Sequence, residues 1–529
     1  MLELPNGLTR KPTNQNLKLY NGQDLKSINK ANLLRNPRHF PQNKEPLLDN
    51  FFENLIQKNI ISKNNHSLDM TDHYAIRGQM IASEVRALIN SLSESHRIKL
   101  AEIIRALEPD KEMLKGAIFS GGEIRVISEC GTTIVINSIA ELLGVVFSKE
   151  NQKPTFNTFS GSSAGSFPAA GMAFRSLNSS ILRTCSDTDF TSFFNAPDAL
   201  KTWVEKFMKR GYHLATGKRA DDITGKHLKE VGADLQVLVG EFERRLVLYP
   251  KMYLLPKELE SRFGKEPDDF KIKDLIQASA NLPILFYPLM DLLKTCGDCY
   301  IKDEKGKKHY LFDPGVIAKY LTPINLQVEE IKNYKDGKID KPGLYFIVTN
   351  KKCKETSTPA TMFGKPTNKL FYWIYSKTLA VCDLLDKYFL GDSPQMLKAL
   401  GTQRALLTAH CEAKDPSTGK LIRLGLGAFD VPTEERETLI CANIPTSDFK
   451  DLPFDGAIDQ LHKQLVDPLF IQSEGKQGKS AYQLFKDDVD KALGKVPSKP
   501  EPPPQIHSQN TFFIKRLANK ILRSAAIFG

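Results

Sequence analysis

Apolar and polar positions along this chain change period several times. Ile76, Met80, Ile81, Val85 and Leu88 recur at helical spacing, as do Ile98, Ile103, Ile104 and Leu107. Residues 75–107 therefore predict two packing helices with a break at 91–95. From Lys115 the pattern shifts to short apolar runs punctuated by glycine. Gly116-Ala117-Ile118-Phe119 is continuously apolar, as a buried parallel strand is, and it ends in Ser120-Gly121-Gly122-Glu123-Ile124-Arg125. A returning helix is predicted at 126–146 and the next strand at 155–160. Further strands are predicted at 234–242, 245–249, 310–312 and 343–349, and helices within 177–217 and at 272–280 and 370–390. Residues 395–475 give mixed signals, with strands expected at 421–428 and 439–442. Strand, glycine turn, helix, strand, turn and helix in succession predict an α/β fold around a mostly parallel central sheet.

The ends read differently. Residues 1–48 are rich in Asn, Lys and Pro without periodicity, as a mobile leader would be. Residues 49–112 form a helical N-terminal region in this reading, 113–355 the α/β domain, 356–475 a mixed C-terminal region, and 476–529 a linker and tail. Residues 496–506 (VPSKPEPPPQI) are proline-rich. In the tail, Phe513, Leu517, Ile521, Ala525 and Phe528 share one helical face, opposite Lys515, Arg516, Asn519, Lys520 and Arg523. This pattern suits an anchor on a membrane surface, and equally a helix that docks on the body or on a partner.

Charge narrows the partners. A net charge of +11 favours an acidic partner, nucleic acid or an anionic membrane face. No nucleic-acid-binding signature accompanies it, so a phospholipid surface ranks first and no nucleic acid is expected. No run of eighteen apolar residues predicts a membrane span, and the first residues lack the apolar core of a secretory signal. A cytoplasmic or peripheral membrane location is expected. The eight cysteines are scattered, which suits reduced thiols. Cys296-x-x-Cys299 has no second pair at metal-site spacing, so it reads as a loop, and neither metal nor cofactor is expected.

The chemistry centres on Gly161-Ser162-Ser163-Ala164-Gly165, where the second strand meets a helix. A strand that turns sharply into a helix strains the residue at the turn and needs small neighbours two positions away. Gly161 and Gly165 meet that need, so Ser163 is expected to stand exposed as a nucleophile at the top of the sheet. A Gly/Ser-rich loop can produce the same letters, and it is the ordered company of this motif that distinguishes it. The turn at Ser120–Arg125 offers backbone N–H groups for a developing oxyanion. Asp313, at the end of a later strand, offers a base, because a carboxylate can activate a serine without histidine.

This arrangement resembles the patatin-like phospholipases. Ser120-Gly121-Gly122-Glu123-Ile124-Arg125 is similar to the family's glycine-rich segment, and GSSAG at 161–165 to its elbow. Residues 276–288 (IQASANLPILFYP) resemble its Ala-Ser/Pro/Phe-x-Pro block, and Asp313-Pro314-Gly315 its Asp-x-Gly. Glu123 replaces a usual third glycine, Val126 a usual small residue, and Pro314 removes an N–H beside Asp313. The resemblance implies a three-layer α/β/α sandwich, with helical N-terminal and mixed C-terminal extensions around a catalytic domain at 113–355. It implies fatty-acid release from phospholipids or lysophospholipids by a Ser163–Asp313 dyad. Gly121, Gly122 and Glu123 would form the oxyanion hole, and Arg125 would steady the loop or meet a lipid phosphate. Residues 278–288 would position the Asp313 strand.

Two rivals stay open. A Ser-Asp-His triad would need His309, His410 or His462. A binding protein on the same scaffold would have weak or partner-activated lipase activity. Patatin-like proteins injected into host cells by intracellular bacteria often pair a lipase with a host-binding region. By that resemblance a host activator is an expected partner, with secretion into a host cell by a route that needs no signal peptide.

Overall fold

A computed structural model of the chain describes residues 92–146, 154–190, 199–241, 251–281, 299–316, 325–350, 361–362, 365–366, 406–415, 418–424, 431–442, 457–466 and 481–495, with helical positions 81, 84–85 and 88–89. Its strands are β1 (Leu114–Phe119), β2 (Thr158–Ser162), β3 (Asp234–Glu241), β4 (Lys251–Leu255), β5 (Tyr300–Lys302), β6 (Lys308–Phe312) and β7 (Leu344–Asn350), followed by β8 (Thr361–Met362), β9 (Lys365–Pro366), β10 (Leu406–Ala409), β11 (Glu412–Lys414) and β12 (Leu421–Arg423).

One sheet runs in the order β10-β7-β1-β2-β3-β6-β5, with β4 also against β3. Strands β10, β7, β1, β2 and β3 are mutually parallel, and β4, β6 and β5 add antiparallel pairs at one side. Because side chains alternate across a strand, neighbouring apolar residues feed opposite faces. Phe119, Phe346 and Val237 enter the large core, while Ile118, Ile347 and Leu238 enter a second cluster with Leu326 and Leu254. Both faces of the central strands are thus buried, which is why β1 and β7 read as unbroken apolar runs. The result is a mostly parallel sheet flanked by helices, the α/β/α arrangement expected.

Helix α1 (Glu94–Leu107) begins where the helical break is predicted. Ser93 caps it, its Oγ accepting from His96 N at 3.3 Å. Ile103, Ile104 and Leu107 are buried as the spacing predicts, but Ile98 is 45% exposed. Helix α2 (Val126–Leu142) is buried nearly all round and lies in the core. Helix α3 (Ser166–Ala173) follows the elbow, α4 (Asn178–Asp187) packs on α2, and α5 (Ala199–Thr216) and α6 (Ile272–Ser279) pack against α3.

Some boundaries differ from the sequence reading. Residues 439–442 are not a strand: they end helix α7 (Thr433–Ala442), which packs on α2 and α4. A short apolar run has the same letters in a buried helix end as in a buried strand. Strand β2 starts later than expected and continues to Ser162. Strand β4 follows the segment at 245–249, which lies outside the described residues, as do 1–48, 284–288, Cys296, 370–390, 425–428, 496–506 and the tail at 511–529. Region 356–475 contributes β10 to the central sheet through its pairing with β7. Among the described residues, no helix is long and apolar enough to cross a membrane.

Candidate active site

Strand register brings two distant residues together. Strand β2 pairs with β3 as far as Ser162 opposite Leu238. Strand β6 pairs antiparallel with β3, Phe312 opposite Gly240. The far edge of β3 is taken by β4, which also pairs with Gly240, so β6 continues along the edge that β2 vacates. Extending each register by one residue puts both Ser163 and Asp313 beside Val239. There the Ser163 Oγ donates a short hydrogen bond to Asp313 Oδ2, across 150 residues of sequence.

The turn at Ser163 has the strain expected of an elbow. Its φ is +53°, in the left-handed region, which costs a non-glycine residue about 1–3 kcal/mol. The surroundings enforce it. A Cβ at Gly161 would overlap the carbonyl of Gly165, and a Cβ at Gly165 would overlap the carbonyl of Ser120, so both positions admit only glycine. The Ser163 N–H donates to Ser279 Oγ at 2.8 Å, and that hydroxyl donates to Leu238 O at 2.7 Å. Ser279 thus ties the elbow to β3. Ser163 keeps 6% of its surface accessible, less than the exposed position expected, because the carboxyl of Asp313 and the glycine loop close over it.

Asp313 is 1% exposed and is held from both ends. Its N–H donates to Asn281 O at 2.6 Å, and the Asn281 side chain donates to Leu311 O at 3.0 Å. These bonds tie the end of α6 to β6. The Gly315 N–H donates to Asp313 Oδ1 at 2.8 Å. That turn supplies the donor Pro314 cannot, and it leaves Oδ2 for the serine.

The glycine loop lies against the elbow. A Cβ at Gly121 would sit 2.9 Å from Ser163 Cβ. The Ser120 N–H donates to Val348 O at 2.9 Å, and the Arg125 N–H to Gly122 O at 3.1 Å. Among the described residues, the N–H groups of Gly121 and Gly122 have no acceptor. The backbone of Glu123 opens a short 3-10 turn, and its side chain lies outside the described residues. Arg125 is 4% exposed, and its Nε donates to Leu424 O at 3.4 Å, so the contact seen is with the β12 segment. Behind the loop and the elbow, Val126 and Phe167 line an apolar cavity with Ile181, Trp203 and Phe207.

Beneath the loop is a polar group the sequence reading passes over. Glu129, on the first turn of α2, is fully buried. Its Oε1 accepts from Ser120 Oγ at 3.0 Å and from Asn350 Nδ2 at 2.6 Å, and among the described residues its Oε2 has no partner. Burial pushes its pKa well above the ordinary range, against the pull of those two hydrogen bonds. Burial therefore favours its uncharged form. The signal was an acidic residue inside the run VISECGTTIVI.

The three histidines of the rival triad have partners elsewhere. His309 bonds Glu241 at 2.6 Å and Asp303 at 3.0 Å. His410 meets Gln460 at 3.1 Å, and His462 bonds Glu102. Among the described residues, no group of His, Cys, Asp and Glu could hold a metal.

Residues 117–324 match the family model described as Patatin-like phospholipase, and no curated protein matches the chain. That span carries the glycine loop, the elbow and the strand that delivers Asp313. Residues 117–324 belong to the patatin-like phospholipase family of lipid acyl hydrolases.

Proposed function

We propose that this protein releases fatty acids from phospholipids or lysophospholipids, with Ser163 as nucleophile and Asp313 as its base. The hydrogen bond from Ser163 Oγ to Asp313 Oδ2 carries this reading. As Oγ attacks the ester carbonyl, its proton passes to Asp313, and the carbonyl oxygen takes up negative charge. The N–H groups of Gly121, Gly122 and Glu123 receive that charge, since the Ser163 N–H is already given to Ser279. Collapse breaks the ester bond, and Asp313 returns the proton to the leaving alcohol. Water, deprotonated by Asp313, then attacks the acyl-serine; collapse breaks the acyl–Oγ bond and frees the fatty acid, and Asp313 returns the proton to Ser163 Oγ.

Release of fatty acid from mixed phospholipid vesicles tests this, with Ser163→Ala and Asp313→Asn beside the unmodified chain. Each substitution should lower the rate by at least about a thousandfold. Either variant retaining more than a tenth of the activity would overturn the dyad.

One observation favours a second reading of regulation. Ser163 keeps only 6% of its surface and Asp313 1%, so a carbonyl has little access to the dyad in this conformation. In this reading a lipid surface or a host protein opens the site. Vesicle assays with and without eukaryotic lysate distinguish the two: full activity of the pure protein on vesicles would remove the need for a protein activator.

A further inference from the structure

Asn350 is the last residue of β7, at the carboxyl end of a parallel strand, the end at which open α/β sheets place their sites. Its side chain lies against Gly122, where an added Cβ would be only 2.7 Å from Nδ2. The same Nδ2 donates to Glu129 Oε1 at 2.6 Å, and Ser120 Oγ donates to that oxygen at 3.0 Å. Asn350 Oδ1 in turn accepts from Cys411 Sγ at 3.7 Å. The glycine loop is thus fixed at Ser120 by its hydroxyl and packed at Gly122 against the amide of Asn350. Both holds converge on one oxygen of one buried side chain.

We propose that Glu129 and Asn350 are positioning residues for the glycine loop, fixing the N–H groups of Gly121 and Gly122 beside Ser163. The inference rests on the dyad reading for its effect on catalysis, but the hold on the loop stands independently of it. Two glycines in succession are the most freely moving backbone a chain offers, and a donor misplaced by an ångström stabilises an oxyanion poorly. The Asn350 side chain packs where Gly122 lacks a Cβ, and so removes that freedom without occupying the site. Glu129 serves in its uncharged form: a carboxylate there would leave Oε2 buried and unpaired, at a cost that no hydrogen bond offsets. Glutamine has the same shape and the same accepting oxygen, so it can take over the role, whereas alanine cannot.

The test uses the full chain with Asn350→Ala, Glu129→Ala and Glu129→Gln, each assayed on phospholipid vesicles below its unfolding temperature. Asn350→Ala and Glu129→Ala should lower kcat about tenfold to a hundredfold with KM changed less than twofold, and Glu129→Gln should recover most of that loss. Amide hydrogen exchange at residues 120–123 reads the loop without any activity. Both alanine variants should exchange faster there than the unmodified chain, and Glu129→Gln should not. Unchanged exchange in the alanine variants overturns the inference whatever the assay gives. Faster exchange with no activity in the unmodified chain, with or without eukaryotic lysate, supports the hold on the loop and overturns the dyad reading instead. Should Glu129→Ala not fold, Asn350→Ala and Glu129→Gln carry the same comparison.

Discussion

At Glu129 the cost of burying a charge can be followed with pH. Its carboxyl is held well above the ordinary glutamate value of 4.5, chiefly by burial. A group raised in the folded state contributes its stability in full below the unfolded pKa and loses it as pH rises through the folded value. Above about pH 4.5 the unfolded chain therefore ionises first, and each further pH unit costs about 1.4 kcal/mol until Glu129 also ionises in the fold. Glu129→Gln removes that term. Thermal unfolding from pH 5 to pH 8 should thus show the unmodified chain losing more stability than Glu129→Gln, and parallel curves would contradict a buried neutral acid. Ser163 shows the converse use of energy at one residue. Its left-handed backbone is unfavourable alone, but the contacts of Gly161, Gly165 and Ser279 leave it no alternative.

At the scale of elements, what was legible followed local turn chemistry. The elbow could be read because a strand–helix turn demands glycine at both 161 and 165, and Asp313 because it follows the strand read at 310–312 and resembles the family's Asp-x-Gly. Asn350 could not be read. It closes β7 like any polar strand end, and its partner Glu129 lies 221 residues away, so only the pairing of β7 with β1 brings them together. Residues 439–442 were misread because four residues are too few to distinguish two periods, and the packing of α7 on α2 decides the matter. The tail at 511–529 is an element whose reading still rests on its periodicity. If its basic face and apolar stripe seat it on lipid, deletion of 511–529 should weaken sedimentation with anionic vesicles severalfold, more so at low salt. Equal binding of the truncated chain would refute an anchor.

Across the whole molecule, the site is assembled from segments far apart in sequence around one sheet. Strand β1 brings the glycine loop, β2 Ser163, β6 Asp313 and β7 Asn350. Strand β10 then covers the outer edge of β7, and Arg125 reaches Leu424, so chain beyond residue 355 touches both the sheet and the loop. Helix α1 is joined to the C-terminal half as well, His96 and Lys99 meeting Asp459 at 3.1 and 2.7 Å. The +11 net charge sits mainly at the two ends of the chain, +5 on residues 1–48 and +4 on residues 496–529.

The central claim is that one serine is activated by one aspartate, and a serine-reactive fluorophosphonate tests it without any choice of lipid. Peptide mapping after reaction should find a single adduct, on Ser163, forming at least about a hundredfold more slowly in Asp313→Asn. An adduct on another serine, or an undiminished rate at Ser163 in Asp313→Asn, would contradict the account.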